Sequence, residues 1–228
     1  MVARIGSGNK DFDDFLNGGY EDNIVTMLYG GPGTGKTNIC LMTAAQVSKQ
    51  KKVIFIDTEG SFSPDRFKQL CPDYNNCLNN IFILCPIDFE EQRGSLKKLK
   101  ELVEKKDIGI IIVDSIVMLY RLEIGKTKDI QNTNRQLGLQ ISYLSEIARK
   151  KSIPILITNQ IYKDFEDKTK INIVGGDILK YWSKCLIELR KLEDNKRVAI
   201  LKKHRSQAEN KKFYFEIIDK GIKKIEEK

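Results

Sequence analysis

The sequence predicts an α/β fold: a mostly parallel, twisted central sheet flanked by helices, with an antiparallel extension at its C-terminal end. Three observations carry this. Apolar runs at residues 24–29, 53–56, 81–84, 109–113 and 154–158 read as strands buried on both faces, and they alternate with stretches of helical periodicity, the rhythm of right-handed crossover units. Gly30-Gly31-Pro32-Gly33-Thr34-Gly35-Lys36-Thr37 fits the phosphate-binding pattern G-x-x-x-x-G-K-[ST] with every fixed position filled. Beyond Trp182 the runs at 185–189, 197–201 and 213–218 follow one another without helices, and Glu193-Asp194-Asn195 supplies a hairpin-like turn.

The elements follow in order. Residues 5–20 place Phe12, Phe15 and Leu16 at helical spacing and end in Gly18-Gly19, so a short helix with a glycine stop leads into the first core strand. After the phosphate loop, residues 38–50 carry Ile39, Met42, Thr43, Gln46 and Val47 at helical spacing. Pro64 opens a short helix through Leu70, and the asparagine-rich stretch 73–80 reads as a loop. Asp88 and Glu91 make a capping-box pattern for a helix that runs through Leu96, Leu99 and Val103 to about Asp107. A helix over 132–151 shows Leu137, Gln140, Ile141, Leu144 and Ile147 on one face. The charged stretch 221–228 is expected to fray, so residues 1–222 read as a single core domain and 223–228 as a charged tail.

At 228 residues the chain suits one sizeable domain, and 41% hydrophobic residues with 31% charged ones argue for a globular core rather than disorder. No stretch approaches a membrane span, and residues 1–7 lack an apolar signal core, so a cytoplasmic protein is expected. Five cysteines without a C-x-x-C pair, with the single His204 far from them in sequence, support neither a zinc site nor a disulfide framework. Cys71 and Cys77 flank a polar loop and could approach each other, but free thiols are expected. The net charge of +8 comes from 39 basic against 31 acidic residues, so the distribution matters more than the total. Basic residues crowd together from Arg190 to Lys212, either as a polyanion footprint or as a lysine-rich solvated face.

The polar residues at the strand ends suggest chemistry. Glycine-rich backbone from Gly30 to Gly35 can close N–H groups around phosphates at a helix N-terminus. Lys36 can then reach the β and γ phosphates of a nucleoside triphosphate, and Thr37 can hold magnesium. Asp114 follows four apolar residues, the way a magnesium-handling carboxylate is presented, although a helix-capping aspartate has the same look. Glu59, one strand over, is placed to orient and deprotonate an attacking water, against the alternative of an exposed loop glutamate. Gln160 offers an amide that could feel a γ-phosphate and pass its presence to the following loop.

Four segments, Gly30 to Thr37, Asp57-Thr58-Glu59-Gly60, Ile112-Val113-Asp114-Ser115 and Thr158-Asn159-Gln160, resemble in order and spacing the ATPase core of RecA/RadA recombinases. The resemblance runs from Ile5 to about Ile222 and implies a RecA-like P-loop NTPase fold with ATP and Mg²⁺ as cofactors. It implies Glu59 as catalytic glutamate, Asp114 as the second magnesium carboxylate, Arg66 as the side chain that stacks on adenine, and Gln160 as γ-phosphate sensor. The short chain, without RadA's N-terminal DNA-binding domain, is most similar to the archaeal paralogues of the family.

The departures count equally. Phe12-Asp13-Asp14-Phe15 is not the Phe-x-x-Ala hook by which such recombinases polymerise, and little chain precedes the first core strand to hold a polymerisation linker. The family's DNA-facing loops correspond to about 120–131 and 161–174, and the second sets Lys163, Lys168 and Lys170 against Asp164, Glu166 and Asp167. These features point away from filaments and strand exchange. Lys203-His204-Arg205 resembles, in its spacing, the basic finger that KaiC-like relatives insert into a neighbour's ATP site, while Lys202, Lys203 and Arg205 together suit a DNA contact, and a plain solvated strand end is the third reading. The reading is an ATP-binding, DNA-binding accessory protein of repair and homologous recombination. It would have weak, DNA-independent ATPase activity and no strand exchange of its own. Single-stranded DNA, the recombinase RadA and recombination nucleases are its expected partners. The alternatives are a ring-forming, KaiC-like or helicase-like ATPase with Lys203 and Arg205 acting in trans, and a partner-binding module in which ATP is only structural.

Overall fold

The computed structural model describes residues 3–163 and 171–227. At its start β1 (Arg4–Ile5) pairs antiparallel with β2 (Tyr20–Glu21), and α1 (Lys10–Phe15) lies between them in sequence. The helix expected across 5–20 is thus shorter. Asn9 caps its start by accepting a 2.9 Å bond from the Phe12 N–H, and Asn17, Gly18 and Gly19 all take positive φ just beyond it.

The core then alternates as the apolar runs require: β3 (Val25–Gly30), α2 (Lys36–Val47), β4 (Lys52–Asp57), α3 (Pro64–Leu70), α4 (Tyr74–Leu78), β5 (Ile81–Leu84), α5 (Phe89–Lys105), β6 (Ile108–Asp114), α6 (Met118–Ile124), α7 (Ile130–Lys151) and β7 (Ile155–Lys163). After β8 (Ile171–Ile173) and α8 (Gly176–Trp182) come β9 (Cys185–Lys191), β10 (Lys196–His204), β11 (Lys212–Ile218) and β12 (Gly221–Lys224). The main sheet has the order β12-β11-β10-β9-β3-β7-β6-β4-β5. Pairs from β9 to β5 are parallel and those from β9 to β12 antiparallel, while β8 folds back on the end of β7. This is the predicted parallel sheet with its C-terminal antiparallel extension.

Side-chain alternation along these strands divides the interior into two layers. Val53, Phe55, Ile110 and Ile112 face one side, with α1, α2 and α3. Ile54, Ile56, Ile111 and Val113 face the other, with α5, α6, α7 and α8. β3, β4, β6 and the start of β7 are buried on both faces and show no polar alternation, which is why their runs were continuous in the sequence, whereas β5, expected to be buried as well, is the edge strand and exposes Ile83.

Several local expectations differ from the structure. Residues 74–78 form α4 rather than a loop, because Cys77 is buried and Tyr74 packs on Phe67 at 6.0 Å between ring centroids. That packing outweighs the weak helix propensity of the asparagines. The same turn brings Cys77 to Cys71, and the two are paired as a disulfide where free thiols were expected. The stretch 221–224 does not fray: Gly221, at φ 118°, turns it back onto β11, and Ile222 is buried in the core. The anticipated loop at 120–131 is largely α6 and the start of α7. In the second loop Ile161 pairs with Ile173, while Asp164, Glu166, Asp167, Lys168 and Lys170 lie outside the described residues.

Helix α1 is anchored rather than free. Phe12 is fully buried, 5.5 Å from Phe213 and 5.6 Å from Phe15 between centroids, so both phenylalanines of Phe12-Asp13-Asp14-Phe15 serve the chain's own core. Phe12→Ala is therefore expected to lower unfolding free energy by about 3–5 kcal/mol. Urea unfolding measures it, and a loss under about 1 kcal/mol would mean that α1 is not fastened by this ring.

Candidate nucleotide site

The loop between β3 and α2 is shaped by glycines with different tasks. A Cβ on Gly30 would lie 2.2 Å from the carbonyl oxygen of Leu189, so this glycine lets β3 pass close beside β9. Around Gly31 and Gly33 a Cβ would meet nothing within 4 Å, which leaves an open cradle of backbone. Gly35 takes φ 100° at the N-cap of α2 and supplies no side-chain cap, so the first-turn N–H groups are left to an external acceptor. Thr34 Oγ1 donates to the Gly31 carbonyl at 2.9 Å and holds the loop's shape.

Lys36 Nζ donates to the carbonyls of Gly30 and Gly31 at 2.9 and 2.8 Å. Burial pushes its pKa down, opposed by the charges of Asp114 and Glu59, yet no carboxylate among the described residues lies within ion-pair distance. Asp114, at the end of β6, is 3% exposed. Its Oδ2 accepts from Thr37 Oγ1 at 2.7 Å and Ser61 Oγ at 3.3 Å, and its Oδ1 from Thr158 Oγ1. Burial raises its pKa, against which the threonine hydroxyls pull downward.

Asp57 sets the neighbouring turn. Its Oδ1 accepts from the N–H groups of Glu59 and Ser61 at 3.2 and 3.0 Å, and its Oδ2 from Phe62 N–H at 2.9 Å. The turn so folded presents Glu59, whose Oε1 accepts from Ser115 Oγ at 2.7 Å and Gln160 Nε2 at 2.9 Å. Gln160 in turn accepts from Arg121 Nη1 of α6 at 2.6 Å. The phosphate loop, Glu59, Asp114 and Gln160 surround a cavity of about 490 Å³ that Asn38, Arg197 and Ile217 also line.

The donors suit the expected ligands. A hydroxyl and a carboxylate are hard oxygen ligands of the kind magnesium takes, keeping its remaining positions for water and phosphate. No group of three or more His, Cys, Asp or Glu side chains that could hold a metal occurs among the described residues, so a cation here would depend on the phosphates as well. The open cradle and the half-buried, carbonyl-bound Lys36 suit an anion.

Arg66 lies beside the cavity rather than in its lining. It donates to Asn38 Oδ1 at 2.8 Å and to the carbonyls of Ile218 and Asp219 at 2.6 and 2.9 Å, fastening α3 to the turn between β11 and β12. The basic cluster sits at the opposite edge of the sheet, because β10 runs antiparallel and His204 pairs with Cys185 at the start of β9. Lys203 Nζ donates to the carbonyls of Lys180 and Ser183 at the end of α8, at 2.8 and 3.0 Å. Lys202 Nζ reaches Asn210 Oδ1 at 3.1 Å. Arg205 Nε is bonded at 2.6 Å to Glu21, which also accepts from Arg4 at 2.6 Å. Both Lys203 and Arg205 are thus engaged inside the chain.

A glycine-rich loop between strand and helix, with a buried aspartate on β6 two places along the sheet and β7 between them, defines a RecA-like P-loop protein. The chain belongs to the Rad51 family, whose model matches residues 1–225. It is similar to the DNA repair and recombination protein RadB of Methanobrevibacter smithii, with 42% identity over 221 residues covering 94% of this chain and 93% of that one. RadB of Methanococcus maripaludis strain C7 is 44% identical over 219 residues, covering 93% and 97%. A crystal structure of the RadB recombinase superposes with a TM-score of 0.82 at 32% identity, covering 99% of this chain and 100% of that one. These are the archaeal paralogues to which the sequence motifs pointed.

Sequence reasoning missed Asp57 as organiser of the turn, Ser115 and Arg121 around Glu59 and Gln160, and the buried Glu21. Ser115 and Asp57 stood inside the quoted motifs, but the approach of Arg121 depends on α6, for which no periodic signal was found.

Glu21 is 2% exposed and carries a linkage prediction. Burial pushes its carboxyl up, but the bonds from Arg4 and Arg205 outweigh it and leave the pKa below the usual value. A lowered acid pKa gives stability that is present above the unfolded value, about 4.3, and lost as pH falls through the folded one. Glu21→Gln is expected to cost about 1–3 kcal/mol at pH 7, with the gap to wild type closing in acid. Urea unfolding at pH 7 and pH 3 measures this, and an undiminished gap at pH 3 would reject the assignment.

Proposed function

We propose that this protein is an ATP- and magnesium-binding, DNA-binding accessory factor of homologous recombination and repair, with slow ATP hydrolysis and no strand exchange of its own. The observation that carries the reading is the convergence of Lys36, Thr37, Asp114, Glu59 and Gln160 on one cavity beside the open glycine cradle. Gly31, Gly33 and Gly35 would turn backbone N–H groups to the phosphates, and Lys36 would supply a cation to them. Thr37 and Asp114 would hold magnesium, which neutralises charge on the phosphate chain when bound. Glu59 would take the proton of the attacking water.

Slow turnover is supported by the chain Arg121–Gln160–Glu59. Gln160's two amide ends are engaged by Arg121 and Glu59, so sensing a phosphate requires it to leave partners it already has. The absence of strand exchange is supported by the burial of Phe12 and Phe15, which keeps them from serving as a hook for a second copy. DNA contact is assigned to the basic edge at Lys202, Lys203 and Arg205, with single strands as the ligand. RadA and recombination nucleases are the partners that membership in the family suggests. No helix among the described residues is long and apolar enough to cross a membrane.

Lys36→Ala is expected to weaken ATP binding by at least about tenfold, and Glu59→Gln to keep binding while lowering hydrolysis. Equilibrium nucleotide titration and single-turnover hydrolysis measure the two. Unchanged affinity in Lys36→Ala would reject the site.

The DNA assignment is tested with Lys202→Ala/Lys203→Ala, leaving Arg205 in place because its loss would strand the buried Glu21. Each neutralised phosphate contact contributes about 0.7 to the slope of log affinity against log salt for a single strand. The pair should therefore flatten that slope by up to about 1.4 while hydrolysis holds. An unchanged slope would return these lysines to a structural role.

A further inference from the structure

We infer that Arg197, at the start of β10, is a second phosphate-facing cation of the nucleotide cavity, acting from the side of the loop away from Lys36. The inference rests on the reading of this cavity as a nucleoside triphosphate site. Arg197 is 7% exposed and lines the cavity. A guanidinium buried to that degree is normally held by a carboxylate, because desolvating an unpaired charge is costly. Among the described residues none lies within ion-pair distance of it.

What Arg197 does touch is neutral. Its Nε donates to the carbonyl of Gly33 at 3.2 Å, its Nη1 to the carbonyl of Asn195 at 2.6 Å, and its Nη2 to Asn195 Oδ1 at 3.2 Å. These three bonds use three of the five guanidinium N–H groups. The remaining two have no protein acceptor among the described residues. The placement follows from the fold: Asp194 and Asn195 both take positive φ in the β9–β10 turn, which returns the chain to the carboxyl edge of the parallel strands. Gly35 lies beside the arginine stem: a Cβ there would stand in ordinary contact, 3.7 Å from Arg197 Cδ.

Lys36 and Arg197 thus grip the loop from two sides, one on the carbonyls of Gly30 and Gly31, the other on that of Gly33, and neither has a carboxylate within ion-pair distance among the described residues. An oligophosphate supplies the negative charge that both lack. Because the charge faces the loop that cradles phosphates, the ligand feature it reads is the phosphate chain and not the base.

The test is a titration of fluorescent ATP and GTP analogues, with magnesium, against wild type, Arg197→Gln, Arg197→Lys and Lys36→Ala. Glutamine can still donate to Gly33 but carries no charge. Arg197→Gln is expected to weaken ATP and GTP by the same factor, about tenfold to a hundredfold, with the thermal midpoint of the nucleotide-free protein nearly unchanged. Arg197→Lys should recover most of that loss. The inference is overturned if ATP affinity stays within about twofold in Arg197→Gln. It is equally overturned if Arg197→Lys loses as much as Arg197→Gln, if ATP and GTP respond differently, or if only single-stranded DNA binding weakens. Affinity lost in Lys36→Ala but kept in Arg197→Gln removes this inference alone, whereas affinity kept in both removes the nucleotide site itself.

Discussion

One buried carboxylate holds the site together. Asp114 accepts hydroxyl donors from Thr37 on α2, Ser61 in the turn after β4, and Thr158 on β7, so the first turn of the loop helix is tied to three neighbouring segments through a single group. Its burial alone would favour the neutral acid, and the hydroxyls offset part of that penalty by stabilising the ionised form. An aspartate can occupy this position because β6 runs apolar to its last residue and ends at the carboxyl edge of a parallel sheet, where ligands of such sheets bind. The register that pairs Ile111, Ile112 and Val113 with Ile155, Leu156 and Ile157 of β7 also places Asp114 within reach of Thr158.

The same logic explains how charge is divided between the two edges of the sheet. At the carboxyl edge the half-buried Lys36 and the buried Arg197 are held, among the described residues, by backbone and amide oxygens. At the opposite edge the buried Glu21 is matched by Arg4 and Arg205, with His204 3.9 Å away. At the far edge the loss of one partner would strand a buried charge, whereas Arg197 has no carboxylate within ion-pair distance among the described residues. Burial pushes the pKa of Lys203 down, and its ammonium donates to the carbonyls of Lys180 and Ser183 at the end of α8.

Much of this was legible in the sequence, for a physical reason. Strands buried on both faces and a loop that must close around phosphates leave little freedom in residue type, so the parallel sheet, its antiparallel extension and the Gly30 to Thr37 loop were read from composition and spacing. The motifs also placed Glu59, Asp114 and Gln160 at one edge, where the structure brings them together. Elements that tertiary packing decides were hidden. α4 is asparagine-rich and stands because Cys77 and Tyr74 pack inward, and the β12 strand looked like a charged tail because Ile222 is the one residue there that reaches the core. Arg197 was visible only as one more cation in a basic run, because a run of charges says nothing about which member is buried.

That last difference decides how the basic C-terminal strands should be understood. Along β10, Arg197 lies at the nucleotide edge and Lys203 to Arg205 at the far edge, separated by the buried stretch from Val198 to Leu201 and by a register shift between Leu201 and Lys203. Charges that are neighbours in sequence are therefore on opposite sides of the sheet and face different surroundings. Treating the run as one footprint, whether for DNA or for a neighbour's nucleotide, merges a buried cation without a counter-charge with an arginine already committed to Glu21.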